Sequence, residues 1–191
     1  MQKNSLFLPA ILLCIICLVT TGLVSLTYVT TQVARDEQAA IAANANRRLL
    51  CPEAVSFEPL ELGVAEIEAG LTEAYTAEDA EGQPLAWLFV AQAKGYGGQL
   101  PIMLAVDTDG LISGLKVLDN NETPGLGKKV ANESFFRQFV GQGTVSDFSV
   151  KPSGDQIGID AVAGATISSR AVANAVNTAV NYFQQMQTEV N

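Results

Sequence analysis

The sequence predicts an α+β protein: a single N-terminal transmembrane helix, then a domain of antiparallel sheet with packed helices. Three observations predict it. No charged residue lies between Lys3 and Arg35. Between Leu85 and Leu118, short β-prone apolar runs alternate with Gly- and Asp-rich breaks. From Ser168 onward, Val172, Val176, Val180 and Phe183 recur at steps of four, four and three, the period of an amphipathic helix.

The uncharged run from Leu6 to Val29 exceeds the roughly 30 Å hydrocarbon core when wound as a helix rising about 1.5 Å per residue. No water is present there to satisfy open backbone groups, so a helix is the state it must take. A cleaved signal peptide would have a shorter apolar region of ~7–15 residues and a small-residue cleavage site. Thr30-Thr31-Gln32-Val33-Ala34 is a poor match to such a site. Cys14 and Cys17 follow Leu-Leu and Ile-Ile, which excludes a lipobox. The first element is therefore an anchor over residues 1–32, with Tyr28 near one interface. Lys3 and the free amino group favour a cytoplasmic N-terminus and an exported C-terminal domain.

Residues 33–52 are rich in Ala, Gln, Asn and Arg. They extend the anchor as a helical stalk that ends at Cys51-Pro52. The remainder, 53–191, forms one domain. Its first stretch, to Glu81, carries acids throughout and no Lys or Arg. It reads as a solvated face or as a docking surface for a basic partner. Within it, Val64-Ala65-Glu66-Ile67-Glu68 alternates like a half-exposed strand.

Leu85–Ala91, Leu100–Val106 and Leu111–Leu118 form an antiparallel meander. Gly95-Tyr96-Gly97-Gly98 and the tight turn Asp107-Thr108-Asp109-Gly110 connect them. The latter lacks the other ligands of a calcium loop. Asn120 to Gly127 is a loop, broken by Pro124, Gly125 and Gly127. Gly127-Lys128 is not a phosphate loop of the Walker type, because Glu122 and Lys129 stand where Gly and Ser or Thr are needed. Asn132-Glu133-Ser134 caps a short helix bearing Phe135, Phe136, Phe139 and Val140. Val145–Val150 and Gln156–Ile159 read as further short strands.

Composition narrows the chemistry. The 191 residues include no His, 3 Cys, 11 Lys+Arg and 20 Asp+Glu, a net charge of -9. A Ser-His-Asp triad, a His base and a His-ligated zinc are impossible. The charge opposes sequence-independent nucleic-acid binding. Cys51 is the only thiol outside the anchor, so no disulfide forms within the domain.

Chemistry concentrates in Asp160-Ala161-Val162-Ala163-Gly164-Ala165-Thr166-Ile167-Ser168-Ser169-Arg170. Gly164 and Ala165 are small enough for a bulky group to approach the backbone. Thr166 presents a hydroxyl at the turn. Ser168 and Ser169 are suited to capping the helix that follows, whose first N–H groups and dipole favour an anion. Arg170 adds a cation. These residues describe a phosphate site near Thr166, or an ordinary capped turn.

The pattern Asp160-x-x-Ala163-Gly164-Ala165-Thr166-x-Ser168-Ser169 resembles the flavinylation motif of FMN-binding domains, D-x-x-[ST]-G-A-T-x-[ST]. Ala163 stands where the motif has Ser or Thr. The Glu122-Thr123-Pro124-Gly125-Leu126-Gly127 loop and the Gly95-to-Gly98 turn resemble signatures of the same family. Asn120 and Asn121 stand where relatives often carry a basic or His residue. With its single anchor, the chain resembles the G subunits of Rnf ion-translocating electron-transport complexes, which are related to the C subunits of sodium-translocating NADH:quinone reductases. The resemblance implies a periplasmic FMN-binding domain at an inner membrane, with FMN joined to Thr166 by a phosphoester that a flavin transferase installs. It implies that Asp160 positions the segment, and that Thr123, Gly125, Leu126, Gly127, Tyr96 and neighbouring Glu122 lie by the flavin. It further implies electron relay within a complex of multispanning, flavin and iron–sulfur subunits. The alternative roles are the corresponding place in the quinone reductase, a flavin-bearing sensor and a tether with a dispensable flavin.

Overall fold

The computed structural model describes residues 7–190; Lys3, the charge that bears on orientation, and Leu6 lie outside this range. Helix α1 runs from Phe7 to Leu50. Its segment Phe7–Gln32 is long and apolar enough to cross a membrane. The hydroxyls of Thr20, Thr27, Thr30 and Thr31 donate to carbonyls one turn back, so none of these groups is left unsatisfied in hydrocarbon. The helix continues unbroken through the expected stalk and stops before Cys51-Pro52, where proline disfavours a further helical residue. The chain divides into two compact units, one ending at Ala45 and the other starting at Asn46.

The second unit is built on a five-stranded antiparallel meander in sequential order: β1 (Ser56–Pro59), β2 (Leu71–Glu78), β3 (Pro84–Lys94), β4 (Gln99–Asp107) and β5 (Ile112–Val117). The three strands expected between Leu85 and Leu118 are the last three. Alternation sorts their side chains cleanly. Phe89, Ala91, Leu100, Ile102, Leu104 and Val106 face one layer. Leu88, Val90, Met103 and Ala105 face the other, under Leu50, Cys51 and Ala54. Both faces are covered, which is why these runs read as continuously apolar.

Helix α4 (Thr166–Val190) lies on the first face. Its buried Val172, Val176, Val180 and Phe183 are the predicted stripe, and Phe89 meets Tyr182 and Phe183 edge-on at 5.8 and 6.3 Å. Arg47, in the last turn of α1, lies 3.9 Å from the centroid of the Tyr75 ring and reaches Glu73 at 3.2 Å, fixing that turn against β2.

Four sequence expectations need correction. Residues Val64–Glu68 form a short helix, α2, not a strand. Gly63 precedes it, and Gly70 at φ 103° ends it; five residues are too few for a period to discriminate. The helix after Asn132 is only α3 (Glu133–Phe136), and Asn132 makes no side-chain cap. Phe135 and Phe139 are core, whereas Val140 is exposed. The two late strands shrink to β6 (Phe148–Ser149) and β7 (Ile157–Gly158), paired in parallel. Asn177 of α4 holds β6 by accepting from the Phe148 N–H at 2.7 Å and donating to its carbonyl at 2.9 Å. Lastly, Ser168 and Ser169 do not precede the helix: they sit inside its first turn, which begins at Thr166.

Candidate functional site: a pocket at the N-terminus of the last helix

Three segments far apart in sequence meet at the start of α4. The β3–β4 turn brings Tyr96. The loop after β5 brings Glu122, Thr123, Leu126 and Gly127. The third segment brings Gly164, Ala165, Thr166, Ile167 and Ser168. Together they line a cavity of about 510 Å3, a volume in the range of small-molecule and cofactor sites.

Glu122 ties the three segments together. Its side chain is 2 % exposed. Oε1 accepts the N–H of Tyr96 at 2.8 Å and of Gly97 at 3.0 Å. Oε2 accepts the Ser168 hydroxyl at 2.7 Å. The backbone is shaped to admit it: a Cβ on Gly95 would stand 2.2 Å from Oε1, and one on Gly127 would stand 2.4 Å from Oε2. Asn120 steers the loop by accepting the Glu122 N–H at 3.1 Å. Thr123 closes it, its carbonyl accepting the N–H groups of Leu126 and Lys128.

The Thr166 segment is held from behind. The Ala165 N–H donates to the Val162 carbonyl at 2.9 Å, closing a tight turn that places Gly164 at φ 78°, a left-handed conformation that favours glycine. Ser169 is fully buried; its hydroxyl accepts the Val162 N–H and donates to the Ala165 carbonyl. Thr166 is thereby presented outward, exposed, as the first residue of the helix. The N–H groups of Thr166, Ile167 and Ser168 have no carbonyl partner among the described residues. They leave a helix N-terminus open to an anion beside the threonine hydroxyl.

The remaining wall is apolar. Tyr96, Leu126 and Ile167 are 73 %, 47 % and 51 % exposed, high values for large hydrophobic side chains. A flat aromatic ring packed between them would remove that surface from water. A phosphate on the open helix end and a ring against these three side chains together match the two ends of FMN. The residues present fit the group.

The sequence-predicted residues do not all assemble here. Tyr96, Glu122, Thr123, Leu126, Gly127, Gly164, Ala165, Thr166 and Ser168 do. Gly125 shapes its turn at φ 76° without lining the cavity. Ser169 acts from behind. Asp160 is exposed and faces a separate cleft with Lys129, Asn132 and Gln138; its backbone N–H and carbonyl are both held by the Gln138 amide. Ile167 joins the wall without a sequence expectation behind it. A signal for it is present nonetheless: it is an isoleucine in the first turn, off the Val172–Val176–Val180 stripe.

The family model described as FMN-binding domain matches residues 95–181, the stretch that supplies every segment of this pocket. The chain is 31 % identical over 180 residues to the G subunit of the proton-translocating ferredoxin:NAD(+) oxidoreductase complex of Clostridium ljungdahlii, covering 94 % of this chain and 92 % of that one. It is 33 % identical over 205 residues to the G subunit of the ion-translocating oxidoreductase complex of Vibrio cholerae, covering 100 % and 93 %. This chain belongs to the family formed by the G subunits of ion-translocating oxidoreductase complexes. The crystal structure of Shewanella oneidensis NqrC shares its fold, with a TM-score of 0.51 at 21 % identity over 71 % of this chain and 72 % of that one.

Proposed function

We propose that this protein relays electrons within a membrane-bound ion-translocating oxidoreductase complex, through FMN joined by a phosphoester to the Thr166 hydroxyl. The observation that carries the reading is the placement of Thr166: an exposed hydroxyl, flanked by Gly164 and Ala165, where three open helix N–H groups meet a largely apolar cavity. FMN supplies the exchange of one or two electrons, chemistry that no side chain here provides. The chain's own residues bind and orient it. The helix N-terminus receives the phosphate, Tyr96, Leu126 and Ile167 shield the ring from water, and the Glu122-linked loops hold the wall in place.

Formation of the ester needs a base, and the chain has no His to supply one. A flavin transferase provides the catalysis with FAD as donor, the Thr166 oxygen taking the FMN phosphoryl group as AMP leaves, and the exposed Thr166 with small neighbours gives it access. We assign residues 1–32 to the anchor, 33–52 to the stalk and 53–191 to an FMN-binding domain in the periplasm, tethered to the inner membrane. Tethering raises the concentration of the site near its membrane-bound redox partners. One membrane helix with no charged side chain within it does not make an ion path by itself, so that path belongs to multispanning partners.

The experiment is direct. The full chain, produced with its transferase, shows the mass of one bound FMN less water and a fluorescent band after denaturation; Thr166→Ala shows neither. A colourless wild-type chain at its plain peptide mass overturns the reading.

A further inference from the structure

Glu122 does more than line the cavity. A carboxylate only accepts hydrogen bonds, and all three of its neighbours donate: the N–H groups of Tyr96 and Gly97 and the Ser168 hydroxyl. Those donors come from the β3–β4 turn and the first turn of α4, 26, 25 and 46 residues away in sequence. Ser168 lies two residues beyond Thr166, so the bond to Oε2 fixes the helix turn that presents Thr166. The same carboxylate lines the cavity while almost wholly buried from solvent. Its charge is therefore weakly screened by water on that side.

We propose that Glu122 is the positioning residue of this site: it latches the three lining segments into the arrangement that presents Thr166, and it places a fixed negative charge against the pocket that opposes the addition of electrons to a flavin held there. The second part rests on the FMN reading above; the first does not. Charged groups close to a flavin ring are a means by which a protein sets its potential.

The test uses the full chain. In a Thr166→Ala background, which carries no flavin, Glu122→Ala speeds amide hydrogen exchange at Tyr96 and Gly97 while the amides of β3 and β4 keep their protection. Unchanged exchange at Tyr96 and Gly97 overturns the latch. With Thr166 present and the transferase supplied, Glu122→Ala lowers flavin occupancy at least tenfold. Glu122→Gln keeps occupancy within about twofold, because its amide oxygen still accepts from Tyr96 and Gly97. Full occupancy in Glu122→Ala overturns the positioning role. In the loaded Glu122→Gln protein the flavin midpoint potential moves in the positive direction; a potential equal to or below that of wild type overturns the charge role. Glu122→Gln keeps the question open to refutation even where Glu122→Ala fails to fold. A wild-type chain that carries no flavin but shows the exchange pattern sinks the FMN reading and leaves the latch standing.

Discussion

Replacing Gly127 by Ala tests whether the pocket is organised around the buried carboxylate. The added Cβ would stand 2.4 Å from Glu122 Oε2, 2.9 Å from Glu122 Cβ and 2.9 Å from Ser168 Oγ. The carboxylate has no easy retreat, since Oε1 is held by two backbone N–H groups. Glu122 Cβ moves only if the loop backbone moves. Giving up a hydrogen bond to a charged group costs about 1.5–3 kcal/mol, and overpacking a filled site costs a further ~1–3 kcal/mol. Partial relaxation brings the expected loss to about 3 kcal/mol, or roughly 6–12 °C in melting temperature for a chain of this size. The control lies two residues away in the same loop. Gly125 has no atom within 4 Å of a built Cβ, but its φ is 76°. Gly125→Ala therefore costs only the left-handed backbone penalty, about 1–2 kcal/mol. The assay is thermal and urea unfolding of the full chain in detergent, in the Thr166→Ala background so that flavin binding contributes nothing. A Gly127→Ala loss below about 1 kcal/mol, or one smaller than that of Gly125→Ala, would refute the packing argument.

Two further outcomes follow from the structure. Asn177→Ala removes both bonds to the Phe148 backbone at once, so β6 keeps only its apolar packing on α4; a loss of about 2–3 kcal/mol is expected, and urea midpoints that match wild type would argue against the clamp. Burial pushes the Cys51 thiol up to about 11, while an unfolded chain releases this proton near 8.5. The folded state thus holds the proton more tightly, and this contribution, of the order of 3 kcal/mol, is complete below about pH 8.5 and lost as pH rises through 11. The Tyr75 phenol is raised as well, chiefly by burial and then by its bond to Glu73, and adds a loss of the same sign at higher pH. Stability measured from pH 8 to 11 should therefore fall more steeply in wild type than in Cys51→Ala; parallel curves would remove the assignment.

The sequence by itself determined what local patterns can encode. Absence of charge over a long run decides a membrane helix, because burial of even one ion in hydrocarbon is costly. Apolar runs between turn residues decide β3, β4 and β5. The stripe Val172–Val176–Val180 decides α4, and Gly164-Ala165-Thr166 marks an accessible hydroxyl at its start. Tertiary structure decided the rest, for identifiable reasons. Strands β1 and β2 were hidden in the acidic stretch: β2 buries Leu71 and Ala74 on the α4 side of the sheet and Ala77 on the other, and a register shift after Leu71 spoils the period of two. Val64–Glu68 was too short for its pattern to distinguish helix from strand. Asp160 lies outside the pocket, in a neighbouring cleft where Gln138 holds its backbone. The role of Glu122 depends on donors 25 to 46 residues away. No local pattern reports such a pairing; a buried carboxylate is tolerated only where the fold converges enough donors upon it.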